Sequence, residues 1–335
     1  MKKYLISKNS TITSGIRKLN KLKIKTLIIH DKYKLLGTLM DSDIRRAFSK
    51  NLYNPKDPIY KICNKKPKFL DHKNKSSDNI NKIIKLIPVL NKRGKIIRII
   101  ERDKNEKNDD KLKSCDFYLL AGGKGERMKK KTNKTPKPLL KYKKKRIIFY
   151  LLDYLMKYRF KNVFVVTCYL KNKMQKILSK KYKKIKFIKE SSPLGTAGFL
   201  KLLNFRSVSE NFFVSNSDII VKIDYNSLYQ YHRNNKADLT ICCFTKEFNI
   251  PYGVIENINK KIFSLNEKPK LYYSVNSGIY LFNKKVLKVI KSISKSKIEI
   301  NDLINFLIKK NMKVKQFPIY EKYLHFTYPE DLLNS

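Results

Sequence analysis

Three observations predict an α/β fold. A buried strand runs straight into a glycine-rich turn, strands and helices alternate from residue 114 onward, and a shorter stretch before them repeats itself. Asp116-Phe117-Tyr118-Leu119-Leu120 is an apolar run of strand length. A helix face follows at Ile147, Leu151, Leu152 and Leu155, then a strand over 162–168, a helix over 173–178 and a strand over 184–189. Asn211 to Val214 opens one more strand, which runs out toward Asp218. Such alternation calls for a largely parallel sheet with helices on both faces. In open sheets of this kind ligands gather at the carboxyl ends of the strands, which is where Gly122, Glu190 and Asp218 fall.

The first hundred residues read differently. From Ile6 to about Asp103 there is a degenerate repeat of about 60 residues, each copy closing with a strand pair. In the first copy Thr11 caps a helix with Ile12, Ile16 and Leu19 on one face, and strands flank the turn Asp31-Lys32-Tyr33-Lys34. Asp43 to Phe48 starts a further helix. In the second copy Ile80, Ile83, Ile84 and Ile87 fit a helix that Pro88 closes, followed by strands around 91–94. Residues 101–113 are dense in Lys, Asp, Glu and Asn without apolar periodicity. The expected division is 1–104, a linker over 105–113, and 114–335.

With 335 residues and 42% hydrophobic content, two cores of useful size are available. The formal charge of +49 points by itself to polyanions. The lysines are spread over every segment, however, and no nucleic-acid recognition motif accompanies them, so no specific nucleic acid is expected. The five cysteines form no C-x-x-C pair and suit a reducing compartment. No apolar run is long enough to cross a bilayer, which makes a cytoplasmic location the expectation and excludes a membrane partner.

The chemistry centres on Leu120-Ala121-Gly122-Gly123-Lys124-Gly125-Glu126-Arg127, with Pro136-Lys137-Pro138 following. Glycines lay backbone N–H groups against a polyphosphate, Arg127 brings a forked permanent cation, and Lys137 a mobile one. Displacement at phosphorus needs donors placed where negative charge gathers. No Gly-Lys-Ser/Thr follows, which separates the loop from a Walker-type one.

This stretch resembles the signature of the sugar-phosphate nucleotidyltransferases, whose fold is a Rossmann-like, mostly parallel sheet flanked by helices. The resemblance implies an NTP and a sugar 1-phosphate as substrates, Mg²⁺ as cofactor, and Arg127, Lys137 and Asp218 as the catalytic set. It also implies nucleotide contacts from Leu120, Ala121, Gly122, Gly123 and Gly125. Glu190-Ser191-Ser192-Pro193-Leu194-Gly195-Thr196-Ala197-Gly198 resembles the base-reading segment, with Glu190 and Gly195 as readers. A glutamate accepts hydrogen bonds and so suits the guanine N1–H and amino group, which favours GTP. Asn216-Ser217-Asp218 matches the Mg²⁺-binding segment. Gly253, Glu267, Lys268 and Asn276 fall in segments resembling the sugar-phosphate site. Tyr323 to Leu332 resembles the closing motif, but His325 stands where the family commonly has a second Asp ligand. Surface-glycan precursor synthesis is the implied setting. An inactive regulatory relative and a phosphocholine-type cytidylyltransferase are the rival readings.

The N-terminal repeat resembles a tandem pair of CBS domains, a small α+β module, on Gly37-Thr38-Leu39-Met40-Asp41-Ser42-Asp43-Ile44-Arg45-Arg46. The resemblance implies an adenine nucleotide held at Asp43, and a homo-oligomer, since such pairs commonly dimerise. Arg98 and Lys104 replace the corresponding residues of the second copy.

Overall fold

The computed structural model describes residues 1–22, 24–49, 56–73, 80, 84–102, 109–258 and 261–333. The chain divides into two compact units, Met1–Glu106 and Lys107–Ser335.

The first unit contains two three-stranded sheets built alike. Leu5–Ser7 lies parallel to Thr26–Asp31, which pairs antiparallel with Lys34–Met40. In the second sheet Leu70–Asp71 lies parallel to Leu86–Leu90, which pairs antiparallel with Ile96–Glu101. The helix Ile12–Lys21 forms as its sequence predicts, with the Thr11 hydroxyl accepting the Ser14 N–H and Ile12, Ile16 and Leu19 buried. A second helix, Asp41–Ser49, follows the third strand.

One expectation fails here. Ile87 and Pro88 belong to the strand Leu86–Leu90, not to a helix, while Ile83 lies outside the described residues. The reason is burial on both faces: Leu86 and Leu90 pack with Tyr4, Leu5 and Ile28, whereas Ile87 and Val89 pack with Leu70 and Ile80. An unbroken apolar run has no period of its own, so tertiary burial decides its conformation. Pro88 is tolerated because the parallel neighbour pairs only with Val89 and Leu90.

The second unit holds a seven-stranded sheet in the order Ile185–Lys189, Asn162–Thr167, Asp116–Leu120, Asn211–Asn216, Lys270–Asn283, Leu239–Asn249, Val314–Pro318. Only Lys270–Asn283 runs against the rest. Alternation along each strand feeds two cores. Phe117, Leu119 and Phe213 pack with the helices Ile147–Leu155 and Lys171–Lys181 on one face. Tyr118, Phe212 and Val214 pack with Val286–Lys291 and Ile300–Lys309 on the other. The expected linker is shorter than its composition implied. Asp109–Ser114 forms a 3-10 turn whose Leu112 is buried in the first of these cores, because one leucine in a charged stretch is enough to anchor it.

Under the signature strand Phe117, Phe160 and Phe213 surround Tyr225, with ring centroids 5.3 to 5.7 Å away. The Tyr225 hydroxyl is buried without a hydrogen-bond partner. An orphaned buried hydroxyl costs free energy that a phenyl ring does not. Tyr225→Phe is therefore expected to raise unfolding stability by about 1 kcal/mol in urea titration; a loss of that size would show that the hydroxyl is satisfied.

The long pair Leu239–Asn249 and Lys270–Asn283 continues beyond the sheet. Among the described strands, Phe244–Asn249 and Lys270–Val275 pair only with each other. The hairpin Val254–Ile258 and Lys261–Asn266 lies between them in sequence and exposes Ile255, Phe263 and Leu265.

Candidate active site

Leu120, Thr167, Lys189 and Asn216 end four neighbouring parallel strands, and the residues just past these ends line one cavity of about 870 Å³. Leu120, Ala121, Gly122, Gly123, Gly125, Arg127, Lys137, Glu190, Gly195, Asp218 and His325 are all among its walls. The sheet order thus brings together side chains from residue 120 to residue 325.

The glycine-rich loop leaves the sheet by donating the Ala121 N–H to the Val166 carbonyl at 2.9 Å. Gly125 sits at φ +69°, where a Cβ would lie 2.9 Å from the Cβ of Lys137, so both the turn and the close approach need glycine. Its carbonyl accepts the Thr132 hydroxyl at 3.1 Å. Met128 anchors the following 3-10 turn by burial beside Tyr142, Ile147 and Phe326, which leaves Arg127 exposed to the cavity. Tyr169, whose hydroxyl donates to the Asn133 carbonyl at 2.8 Å, braces the far end of this loop. Pro136 and Pro138 hold Lys137 between two fixed backbone angles.

Lys137 Nζ donates to Asp218 Oδ2 at 2.5 Å, and His325 Nε2 stands 3.5 Å from the same oxygen. His325 arrives there because Leu324–His325 pairs antiparallel with Ile219–Ile220, just past Asp218. The Thr327 hydroxyl lies 3.1 Å from His325 Nδ1, and in the tautomer where that nitrogen accepts, Nε2–H faces the carboxylate. Burial pushes the Asp218 carboxyl up, but the His325 hydrogen bond and the Lys137 charge outweigh it and hold the group below its ordinary range.

Glu190 is the other notable acid. Its side chain is buried, Oε1 has no hydrogen-bond partner, and burial pushes its pKa up to about 7. Glu190 also lines the cavity, and a buried acceptor without a partner beside such a cavity is a candidate for a ligand contact.

Among the described residues no group of three or more His, Cys, Asp or Glu side chains is arranged to hold a metal. Asp218 is the one carboxylate of the Lys137–His325 cluster. A single hard oxygen is nevertheless what Mg²⁺ takes from a protein when substrate phosphates complete its shell, so the donor set fits that ion.

Not every expected residue is at the cavity. Gly253, Glu267, Lys268 and Asn276 are absent from its walls. The first three sit on the outlying ribbon and hairpin, with Glu267 and Lys268 largely exposed and 3.9 Å apart. The Asn276 side chain is spent on the Tyr280 hydroxyl and the Gly278 N–H. In the first unit Asp43 is likewise engaged: its oxygens accept from the Met40 N–H at 2.8 Å and from Arg46 at 2.7 Å.

Other wall residues had no motif to announce them. Cys168 and Tyr169 follow the strand Asn162–Thr167 and were open to discovery by the strand-end rule. Lys297 and Glu299 carried no local signal, while Thr327 lies in the closing segment beside His325.

A family model described as nucleotidyl transferase matches residues 118–323, which take in nearly all of the sheet and every wall residue of the cavity except His325 and Thr327. The chain belongs to the nucleotidyl transferase family. The chain is similar to the mannose-1-phosphate guanylyltransferase catalytic subunit beta of Drosophila melanogaster, 36% identical over 178 residues, or 50% of this chain and 48% of that protein. The Dictyostelium discoideum subunit of the same description is 33% identical over 178 residues, again 50% of each chain. The chain therefore spans about half the length of the curated relatives it matches. Among solved structures it resembles HddC from Yersinia pseudotuberculosis, with a TM-score of 0.52 and 25% identity over 65% of this chain and 96% of that one. The inositol-1-phosphate CTP transferase from T. maritima shares the fold, with a TM-score of 0.50 and 17% identity over 64% and 90%. Among the described residues no helix is long and apolar enough to cross a membrane.

Proposed function

We propose that the second unit transfers a guanylyl group from GTP to a sugar 1-phosphate of the mannose 1-phosphate type, releasing pyrophosphate. The observation that carries this reading is the convergence of Arg127, Lys137, Asp218 and Glu190 on one cavity at the strand ends of a nucleotidyl transferase domain. An oxygen of the sugar phosphate attacks the nucleotide α-phosphorus in line, the bond to the β-phosphate oxygen breaks, and pyrophosphate leaves. No protein nucleophile is needed, so the work is positional and electrostatic.

Arg127, exposed in the cavity, meets the departing pyrophosphate. Lys137, paired with Asp218 in the free protein, exchanges that partner for phosphate oxygens when nucleotide enters. Asp218 would hold Mg²⁺, which would supply charge neutralisation for the phosphates. Imidazole is a poor ligand for this ion, so His325 steadies the carboxylate through its Nε2–H. Lys268 and Glu267 are assigned to the sugar phosphate, which requires the outlying ribbon to meet substrate at the mouth of the cavity.

Guanine is favoured because Glu190 is acceptor-only when ionised and the guanine edge offers N1–H and an amino group. The pH dependence follows from its raised pKa. Below about 7 the carboxyl is protonated and offers one acceptor fewer; above it both oxygens accept. The apparent KM for GTP is expected to fall as pH rises through about 7, and Glu190→Gln to flatten that profile and narrow the preference for GTP over the other triphosphates. In the free protein the same shift acts the other way on stability. The folded state holds the proton to higher pH than the unfolded chain, so stability falls from the ordinary carboxylate range up to about 7. A KM profile unchanged by Glu190→Gln would remove the base-reading role.

The decisive assay is pyrophosphate release over panels of nucleoside triphosphates, sugar 1-phosphates and phosphocholine. Release with GTP and mannose 1-phosphate supports the reading, release only with CTP and phosphocholine replaces it, and none at all makes the chain a non-catalytic relative. For the first unit we infer a CBS-like pair, supported by its two sheets of identical order and direction. Because Asp43 is engaged internally, the cavity by Lys34, Lys65, Lys68 and Phe69 is the place assigned to an adenine nucleotide. Calorimetry with AMP, ADP and ATP tests that assignment. Sedimentation of the full chain tests the homo-oligomer.

A further inference from the structure

The base-reading turn does not hold itself in place. Gly195–Gly198 is a single helical turn, far below the length at which a helix sustains its own geometry. What fixes it is Ile298 to Ile300, a segment a hundred residues away with no motif of its own.

The joint is reciprocal. Glu299 Oε2 accepts the Thr196 N–H at 3.2 Å and the Thr196 hydroxyl at 2.8 Å, and that hydroxyl oxygen accepts the Ile300 N–H at 2.8 Å. The Ala197 N–H donates to the Ile298 carbonyl and the Ile298 N–H donates to the Leu194 carbonyl, both at 2.9 Å. Gly195 stands at φ +80°, and a Cβ there would lie only 2.5 Å from the Ile298 carbonyl oxygen, so this approach of the two backbones needs glycine. Glu299 also stands at the N-cap position of the helix Ile300–Lys309, a ten-residue element packed into the core, and its carbonyl accepts the Leu303 N–H. The turn therefore takes its position from that core. Gly195, Thr196, Lys297 and Glu299 together form one stretch of the cavity wall.

We infer that Glu299 is a positioning residue for base recognition. Through Thr196 it sets the height at which Gly195 meets the base in the cavity that Glu190 also lines. The inference rests on the nucleotidyl transfer reading and adds to it a residue outside the signature motifs. Hydrogen bonds to an ionised carboxylate are among the stronger ones, so their loss should show in nucleotide binding.

The test uses the full chain. GTP binding with Mg²⁺ is measured by calorimetry, and KM and kcat with GTP and mannose 1-phosphate, for wild type, Glu299→Ala, Thr196→Val, Thr196→Ser and the double variant E299A/T196V. Thermal unfolding screens each for folding. The expected result is a Kd and KM for GTP about tenfold higher or more in Glu299→Ala and Thr196→Val. The KM for mannose 1-phosphate should stay near the wild-type value, Thr196→Ser should behave as wild type, and the double variant should be no weaker than the poorer single one. Wild-type GTP affinity in Glu299→Ala overturns the inference alone. So does an equal loss for both substrates with early unfolding. Absence of any triphosphate binding by the wild type overturns the nucleotidyl transfer reading and takes the inference with it.

Discussion

Replacing Asp218 by asparagine is expected to cut turnover a hundredfold or more while the protein stays folded. Lys137 Nζ lies 2.5 Å from this carboxylate and only 13% of the lysine side chain remains exposed. Asparagine keeps the shape but removes the charge that orients the ammonium, and it weakens the only acidic oxygen of the cluster open to Mg²⁺. Losses of about 10² to 10³ are typical when one preorganised electrostatic partner is removed from a reacting centre. Pyrophosphate release under saturating GTP and mannose 1-phosphate reads the effect, with circular dichroism confirming the fold. A rate within threefold of wild type would take Asp218 out of the mechanism.

Arg127→Ala should be of similar or greater severity in kcat, about 10² or more, with almost no change in stability. Arg127 is exposed on a loop held by Met128 and Thr132, so its removal opens no void. Its effect lies where charge builds on the leaving pyrophosphate. Arg127→Lys should restore only part of the rate, because an ammonium cannot grip two oxygens with a planar fork. Full activity in Arg127→Ala would show that the loop binds nucleotide without assisting departure.

Much of the site was legible before any coordinates. The strand Asp116–Leu120, the turn at Gly125 and the Pro136-Lys137-Pro138 clamp are local features, each specified by residues within a few positions of one another. The helix Ile12–Lys21 and its Thr11 cap were equally plain, since amphipathic period and capping are read over one or two turns. Leu86–Leu90 was not, because buried strands and buried helices look alike in an apolar run. Leu112 escaped notice for the opposite reason, being one apolar residue whose value depends entirely on the core it enters.

The chain order alone determined which chemical groups this protein owns: two loop cations, a carboxylate after one strand, a glutamate after another, and glycines where the backbone must turn. Tertiary structure decided which of them meet. Sheet order placed residues 120, 190 and 218 around one cavity, left Lys268 and Glu267 on an outlying ribbon, and brought Glu299 to Thr196 across a hundred residues. Pairing of distant strands is a balance of burial and register over the whole domain, and no local pattern encodes it.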